Sequence, residues 1–214
     1  MTICLISAYA FLIGLSYFLV IRFVLLHWEK FPLWSIPPEF CPSTHISILI
    51  PARNEAANIQ TCLARVFSCQ YSAELLELIV IDDHSTDETA ALVGQLAAIY
   101  PGLRLLPLPK DRAGKKAALA FGIEQAQGEL IITTDADCQV PPQWLLYIVS
   151  LYQEQKPAFI AGPVQLSAAP SLLERFQALD MAGTMLITGA GIRSGTIHMS
   201  NGANLAYPKS VFQS

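Results

Sequence analysis

Between His45 and Gly162, short apolar runs alternate with stretches of helical periodicity, and that alternation leaves few folds open. The runs start at His45, Leu75, Leu103, Leu130 and Ala158, each four to seven residues long and rich in Ile, Val and Leu. The intervening stretches space their apolar residues three and four apart, as in Ile59, Leu63, Val66 and Phe67. Strand and helix in strict turn imply βαβ units, a mostly parallel sheet and helices on both of its faces. Such sheets take ligands beyond the carboxyl ends of their strands.

Those strand ends are where the polar residues gather. Strand His45–Ile50 runs into Pro51-Ala52-Arg53-Asn54-Glu55, strand Leu75–Ile81 into Asp82-Asp83-His84-Ser85-Thr86-Asp87, and the Leu130 strand into Asp135-Ala136-Asp137. If the last strand stays extended, Asp135 and Asp137 point the same way. Two acids so placed repel unless a cation lies between them, and oxygen ligands suit a hard divalent ion. The other reading is an acidic turn capping the helix expected from Pro142 to Gln155. Ser85 and Glu88 have capping-box spacing, which predicts a helix from there to about Ile99. That leaves Asp82 and Asp83 unexplained. Lys110, Arg112, Lys115 and Lys116 place four of the chain's 13 cations in seven residues, at the start of a helix expected over 117–126. Cations are unfavourable there, so either the loop is simply solvated or an anion offsets the cost. The P-loop pattern fails, because Lys116-Ala117 follow Gly114-Lys115, and Gly189-x-Gly191 lacks the dinucleotide fingerprint. Acids beside cations, with a metal, suit a diphosphate, and the remaining acids can accept hydrogen bonds from a base or ribose.

The first 21 residues carry no Asp, Glu, Lys, Arg or His. As a helix they would be about 32 Å long, enough to cross a bilayer. No basic residue precedes the run, and Arg22-Phe23-Val24-Leu25 is a poor cleavage site, so a retained anchor is favoured over a signal peptide. Arg22, His27 and Lys30 on its carboxyl side place the remainder in the cytosol by the positive-inside rule, with Trp28 and Trp34 expected near the membrane interface. The expected organisation is an anchor over 1–28, a Pro-rich linker over 29–44 and one catalytic domain over 45–214. A net charge of −4 gives no reason to expect nucleic acid. The five scattered cysteines fit reduced thiols and no zinc spacing. Further along, 171–187 is expected to be helical, and His198 to Tyr207 to form a polar turn leading into a short strand.

Taken together, Pro51-Ala52-Arg53-Asn54-Glu55, Asp82 to Asp87, Gly114-Lys115-Lys116-Ala117-Ala118-Leu119, Asp135-Ala136-Asp137 and Asn201-Gly202-Ala203-Asn204 resemble the successive motifs of family 2 glycosyltransferases with the GT-A fold. The resemblance implies a Rossmann-like α/β sheet preceded by a transmembrane helix, and a place in the inner (plasma) membrane. It implies inverting transfer from a nucleotide-sugar, with uridine the expected nucleotide and Mg2+ or Mn2+ the cofactor, to a saccharide or lipid-linked acceptor. Carried over by position, Pro51, Arg53 and Glu55 would hold the nucleoside, and Asp82 and Asp83 would lie near base and ribose. Lys115 would lie near uridine or diphosphate, Asp135 would help position the nucleotide-sugar, and Asp137, with Asp135, would ligate the metal. Asn201 and Asn204 would line the donor-sugar side. The acidic motif that supplies the family's general base is absent before Ser214, and Glu174 and Asp180 match no motif. A truncated chain that binds donor but transfers poorly is therefore expected, a donor-binding pseudoenzyme being one alternative. Sugar nucleotidyl transfer is the other, disfavoured because no Gly-rich loop follows the first strand.

Overall fold

The computed structural model describes residues 2–30, 32–167, 171–196 and 199–212, so His198, expected to open the polar turn, lies outside the described residues. The chain forms two compact units, Met1–Leu33 with Pro163–Ser200, and Trp34–Gly162 with Asn201–Ser214.

The larger unit holds a six-stranded sheet in the order β3-β2-β1-β4-β6-β5. Its strands are β1 Ile46–Ala52, β2 Leu76–Asp82, β3 Leu103–Pro107, β4 Leu130–Thr133, β5 Ile160–Ala161 and β6 Leu205–Pro208. The first four pair parallel, whereas β6 runs antiparallel to both β4 and β5. Both faces of β1 and β4 are covered. Ile46, Ile48, Ile50, Leu130 and Ile132 join one core with residues of α2 Ile59–Phe67, α3 Thr89–Ala97 and α5 Trp144–Gln155. Leu49, Ile79, Ile81 and Ile131 join the opposite core with α4 Lys115–Gln125. This double burial is why the strands read as continuous apolar runs, and each fully buried aliphatic side chain contributes roughly 1.5–3 kcal/mol.

Register sets the geometry of one edge. Ala52 lies opposite Asp82, and Leu49 opposite Thr133, so β1, β2 and β4 end side by side. Because β6 is antiparallel to β4, with Leu205 opposite Thr133, it begins at that same edge and brings the Asn201–Asn204 segment there.

One expectation needs correction. The capping box at Ser85 does not form. The Ser85 hydroxyl accepts the Asn54 N–H at 3.0 Å, and the helix starts later, where Asp87 Oδ1 accepts the Thr89 N–H at 3.0 Å. Trp34 donates its indole N–H to Ser150 Oγ on α5 at 2.9 Å.

In the smaller unit, α1 Thr2–Trp28 is apolar and long enough over Leu5–Trp28 to cross a membrane. It packs with α6 Leu172–Ser194, which extends seven residues beyond the expected Ile187. A Cβ on Gly189 would lie 2.6 Å from the Trp28 ring, so only glycine permits this approach. The capping box missing at Ser85 occurs here, between Ser171 and Glu174. Residues 163–200 group with the N-terminal helix in this unit.

Candidate functional site

Seven residues singled out from the sequence meet around one open pocket of about 320 Å3 at the carboxyl edge of the sheet. They are Pro51, Arg53, Glu55, Asp83, Lys115, Asp135 and Asp137, with Ala52 and Ala136 completing the lining.

The loop after β1 is held by the loop after β2. The Asn54, Glu55 and Ala56 N–H groups donate to Ser85 Oγ, Thr89 Oγ1 and Asp87 Oδ2 at 3.0, 2.8 and 3.1 Å. In return Asn54 Oδ1 accepts the Thr86 N–H at 2.8 Å. Asn54 has φ 57°, a left-handed conformation that Asn tolerates better than most residues. Thr89 is fully buried, and its hydroxyl, then backbone N–H groups, hold the Asp87 carboxyl below its ordinary range. Asn54, Ser85, Asp87 and Thr89 are positioning residues that sequence reasoning missed. The signal for Asn54 was its place between two charged residues at a strand end.

The basic loop is tethered in two places. Asp83 Oδ2 accepts the Gly114 N–H at 3.0 Å, and His84 Nε2 donates to the Arg112 carbonyl at 3.0 Å. Gly114 has φ 89°, which a Cβ would strain. From there Lys115 reaches Asp135 Oδ1 at 2.5 Å. Only Lys115 of the four clustered cations lines the pocket. Arg112 turns to Glu124 at 3.2 Å and stacks over Phe121.

Contrary to expectation, Asp135 and Asp137 do not continue an extended strand. β4 ends at Thr133, and the Asp135 carbonyl accepts the Cys138 N–H at 3.1 Å, closing a turn. The turn still delivers both carboxylates to the pocket. The Cys62 thiol, buried beneath it, donates to that same carbonyl at 3.5 Å. Burial first, then the charges of Cys138, Asp137, Asp135 and Glu55, push the Cys62 thiol up to about 12. At pH 8 it therefore remains protonated and unreactive. With iodoacetamide at pH 8, mass spectrometry should find exposed Cys41 modified and Cys62 intact until denaturant is added.

Asp83 is 5% exposed, and its Oδ1 has no hydrogen-bond partner among the described residues. The nearest basic side chains, Arg53 Nη1 at 3.9 Å from Oδ2 and His84 Nε2 at 4.0 Å from Oδ1, are too far to satisfy it. A buried carboxylate oxygen left this way is costly, and a ligand N–H or hydroxyl would relieve it.

Three expected site residues are not brought to the pocket lining. Asp82 turns its Oδ2 toward the Ser85 N–H at 3.4 Å. Asn201 accepts the Ala203 N–H at 3.0 Å, and Asn204 Oδ1 accepts the Trp144 indole N–H at 3.0 Å. These two asparagines shape the 3-10 turn whose Gly202 carbonyl accepts from Thr133 Oγ1 at 2.7 Å.

The signature of glycosyl transferase family 2 matches residues 47–213. Glycosyltransferase AglE of Haloferax volcanii is 34% identical over 122 residues, 57% of this chain and 40% of that protein. A beta-monoglucosyldiacylglycerol synthase of a Nostoc species is 34% identical over 144 residues, 67% of this chain and 28% of that one. The chain thus spans well under half the length of these relatives. Among solved structures, mannosyltransferase PcManGT of Pyrobaculum calidifontis, in complex with GDP-Man and Mn2+, superposes with a TM-score of 0.70 at 23% identity. That match covers 94% of this chain and 56% of that one.

Proposed function

This chain belongs to glycosyl transferase family 2, and from that premise we propose that it binds a nucleotide-sugar and serves transfer of the sugar, with inversion, to a saccharide or lipid-linked acceptor. The observation that carries this reading is the meeting of four carboxylates and two cations around one pocket at the carboxyl edge. Arg53, Glu55 and Pro51 receive the nucleoside, and the unpartnered Asp83 oxygen accepts from base or ribose. A uridine nucleotide is the proposed donor. Asn201, Asn204 and Asp82 act behind the lining, on the turns that shape it.

The side chains present suit Mg2+ or Mn2+. Asp135 and Asp137 offer hard oxygen donors, and an ion of this kind is commonly held by one or two carboxylates with substrate phosphates completing its shell. Among the described residues no three His, Cys, Asp or Glu side chains stand close enough to hold an ion alone. The diphosphate is therefore part of the proposed site. The metal, when bound, supplies charge neutralisation for the departing nucleoside diphosphate. Lys115 adds a second positive group beside it.

The proposed setting is the inner (plasma) membrane, with 1–28 as anchor, 29–44 as linker and the catalytic region from 45 onward on the cytosolic side. The apolar length of α1 and the basic residues after it support this. The Nostoc relative, named for a glucosylated diacylglycerol, supports a lipid-type acceptor.

Heat unfolding of the detergent-solubilised protein tests the reading. UDP at 100 times its Kd with Mn2+ should stabilise by about 2.7 kcal/mol, which raises the midpoint by roughly 5–10 °C for a chain of this size. No shift with any nucleoside diphosphate in Mn2+ would sink it. Sugar release or transfer from the donor, measured alongside, separates transfer from donor binding alone. Pyrophosphate release from a nucleoside triphosphate would mark nucleotidyl transfer instead.

A further inference from the structure

The charges lining the pocket do not balance, since Glu55, Asp83, Asp135 and Asp137 face only Arg53 and Lys115. Arg53 sits at the rim with its side chain 61% exposed, 3.9 Å from Asp83. Lys115 is committed more closely. Its Nζ contacts Asp135 Oδ1 at 2.5 Å, and the two side chains are only 49% and 31% exposed, so water screens the pair incompletely. It makes this contact from the first residue of α4, where the helix dipole disfavours a cation. The attraction of Asp135 outweighs that disfavour.

We infer that Lys115 is a built-in counter-cation for Asp135, and that a divalent metal must displace it, so that metal and nucleoside diphosphate bind as a coupled pair. The inference rests on the donor-site reading above and adds the residue that enforces the coupling. Metal arriving alone must break the Lys115–Asp135 pair and leave an ammonium beside a dication, which repel. Diphosphate arriving alone meets a pocket with a two-carboxylate excess. With both present, the metal would stand against Asp135 and Lys115 against the diphosphate, so neither member of the broken pair is left without an opposite charge. The unpartnered, buried Asp83 oxygen on the same pocket is an independent sign that a ligand belongs there.

The test is a binding cycle on the full chain. Free Mn2+ is followed by electron paramagnetic resonance with and without UDP, for the wild type, Lys115→Met, Lys115→Arg and Lys116→Met. In the wild type UDP should tighten Mn2+ by about 5-fold or more, the lower range of coupled sites. Lys115→Met should bind Mn2+ alone more tightly than the wild type, bind UDP in Mn2+ more weakly, and lose most of the coupling. Lys115→Arg keeps the charge and should keep the wild-type pattern. Lys116→Met removes the same charge one residue along, outside the lining, and should leave Mn2+ binding unchanged. If Lys115→Met binds Mn2+ alone no more tightly than the wild type, the counter-cation role is wrong while the donor site stands. If the wild type binds no UDP in Mn2+, the donor-site reading falls and this inference falls with it.

Discussion

Asp137→Ala is expected to weaken binding of UDP in Mn2+ by about 100-fold or more, while leaving the heat-unfolding midpoint where it was. The size reflects the place of the side chain. Loss of a group that merely orients a metal ligand costs about 10–100-fold in metal affinity or activity, so loss of a ligand itself belongs at the top of that range or above. The unchanged midpoint reflects exposure. Asp137 is an exposed residue of the turn, and that turn is closed by the Cys138 N–H and Cys62 thiol on the Asp135 carbonyl. Exposed substitutions away from such bonds stay within about 0.5 kcal/mol. Isothermal titration of UDP with and without Mn2+, beside a melting curve, checks both parts of the claim. Without Mn2+ the variant should bind UDP no more weakly than the wild type, because the lost carboxylate then has no ion to hold and only repels the diphosphate. A variant that binds UDP normally in Mn2+ would remove Asp137 from the metal site.

Much of this edge was legible because its acids sit where apolar runs stop. Ile46, Ile48 and Ile50 alternate with Ser47 and Leu49 on a strand buried on both faces, and that burial writes itself into the sequence as a run. Residues just past the end of such a run must lie at the sheet's edge. The bonds that hold the edge together were not legible. Asn54 meets Ser85 and Thr86 more than thirty residues away, and nothing local distinguishes its φ of 57° from an ordinary loop. For the same reason Ser85 was expected to cap its own helix, a role its spacing permits and its distant partner takes away. The position of β6 between β4 and β5 was likewise hidden, because antiparallel pairing of Leu205 with Thr133 depends on chain 72 residues apart. Asn204 was expected at the donor sugar on motif grounds. Its partner, the Trp144 indole, lies on a helix that the motif does not include. The clustered cations mislead in the same way, since charge density said nothing about Arg112 turning back to Glu124.

The edge opposite the pocket carries the largest expected effect on stability. Gly128 precedes β4, and a Cβ there would lie 2.4 Å from the Ser47 nitrogen and 2.6 Å from the Ile46 carbonyl carbon. Both contacts are to backbone, which has no rotamer to change. The Gly128 N–H also donates to Ser47 Oγ at 2.8 Å, and that fully buried hydroxyl donates on to Glu77 Oε2 at 2.5 Å. Glu77 in turn accepts from the Gln127 N–H at 2.8 Å and pairs with Arg104. An alanine methyl must therefore push β4 from β1 and break a polar network whose buried members have no water to turn to. Overpacking costs about 1–3 kcal/mol, and the upper end applies where backbone must shift. Gly128→Ala should accordingly lose about 3 kcal/mol, lowering the midpoint by roughly 6–12 °C at 2–4 °C per kcal/mol. Gly94→Ala is the matched control. Gly94 is exposed within α3, with nothing within 4 Å of its would-be Cβ, so alanine there should stabilise by about 0.5–1 kcal/mol through helix propensity alone. Opposite signs for the same added methyl group would show that approach of β4 to β1, not loss of glycine as such, sets the effect. A Gly128→Ala protein that melts with the wild type would mean the two strands do not pack at this register.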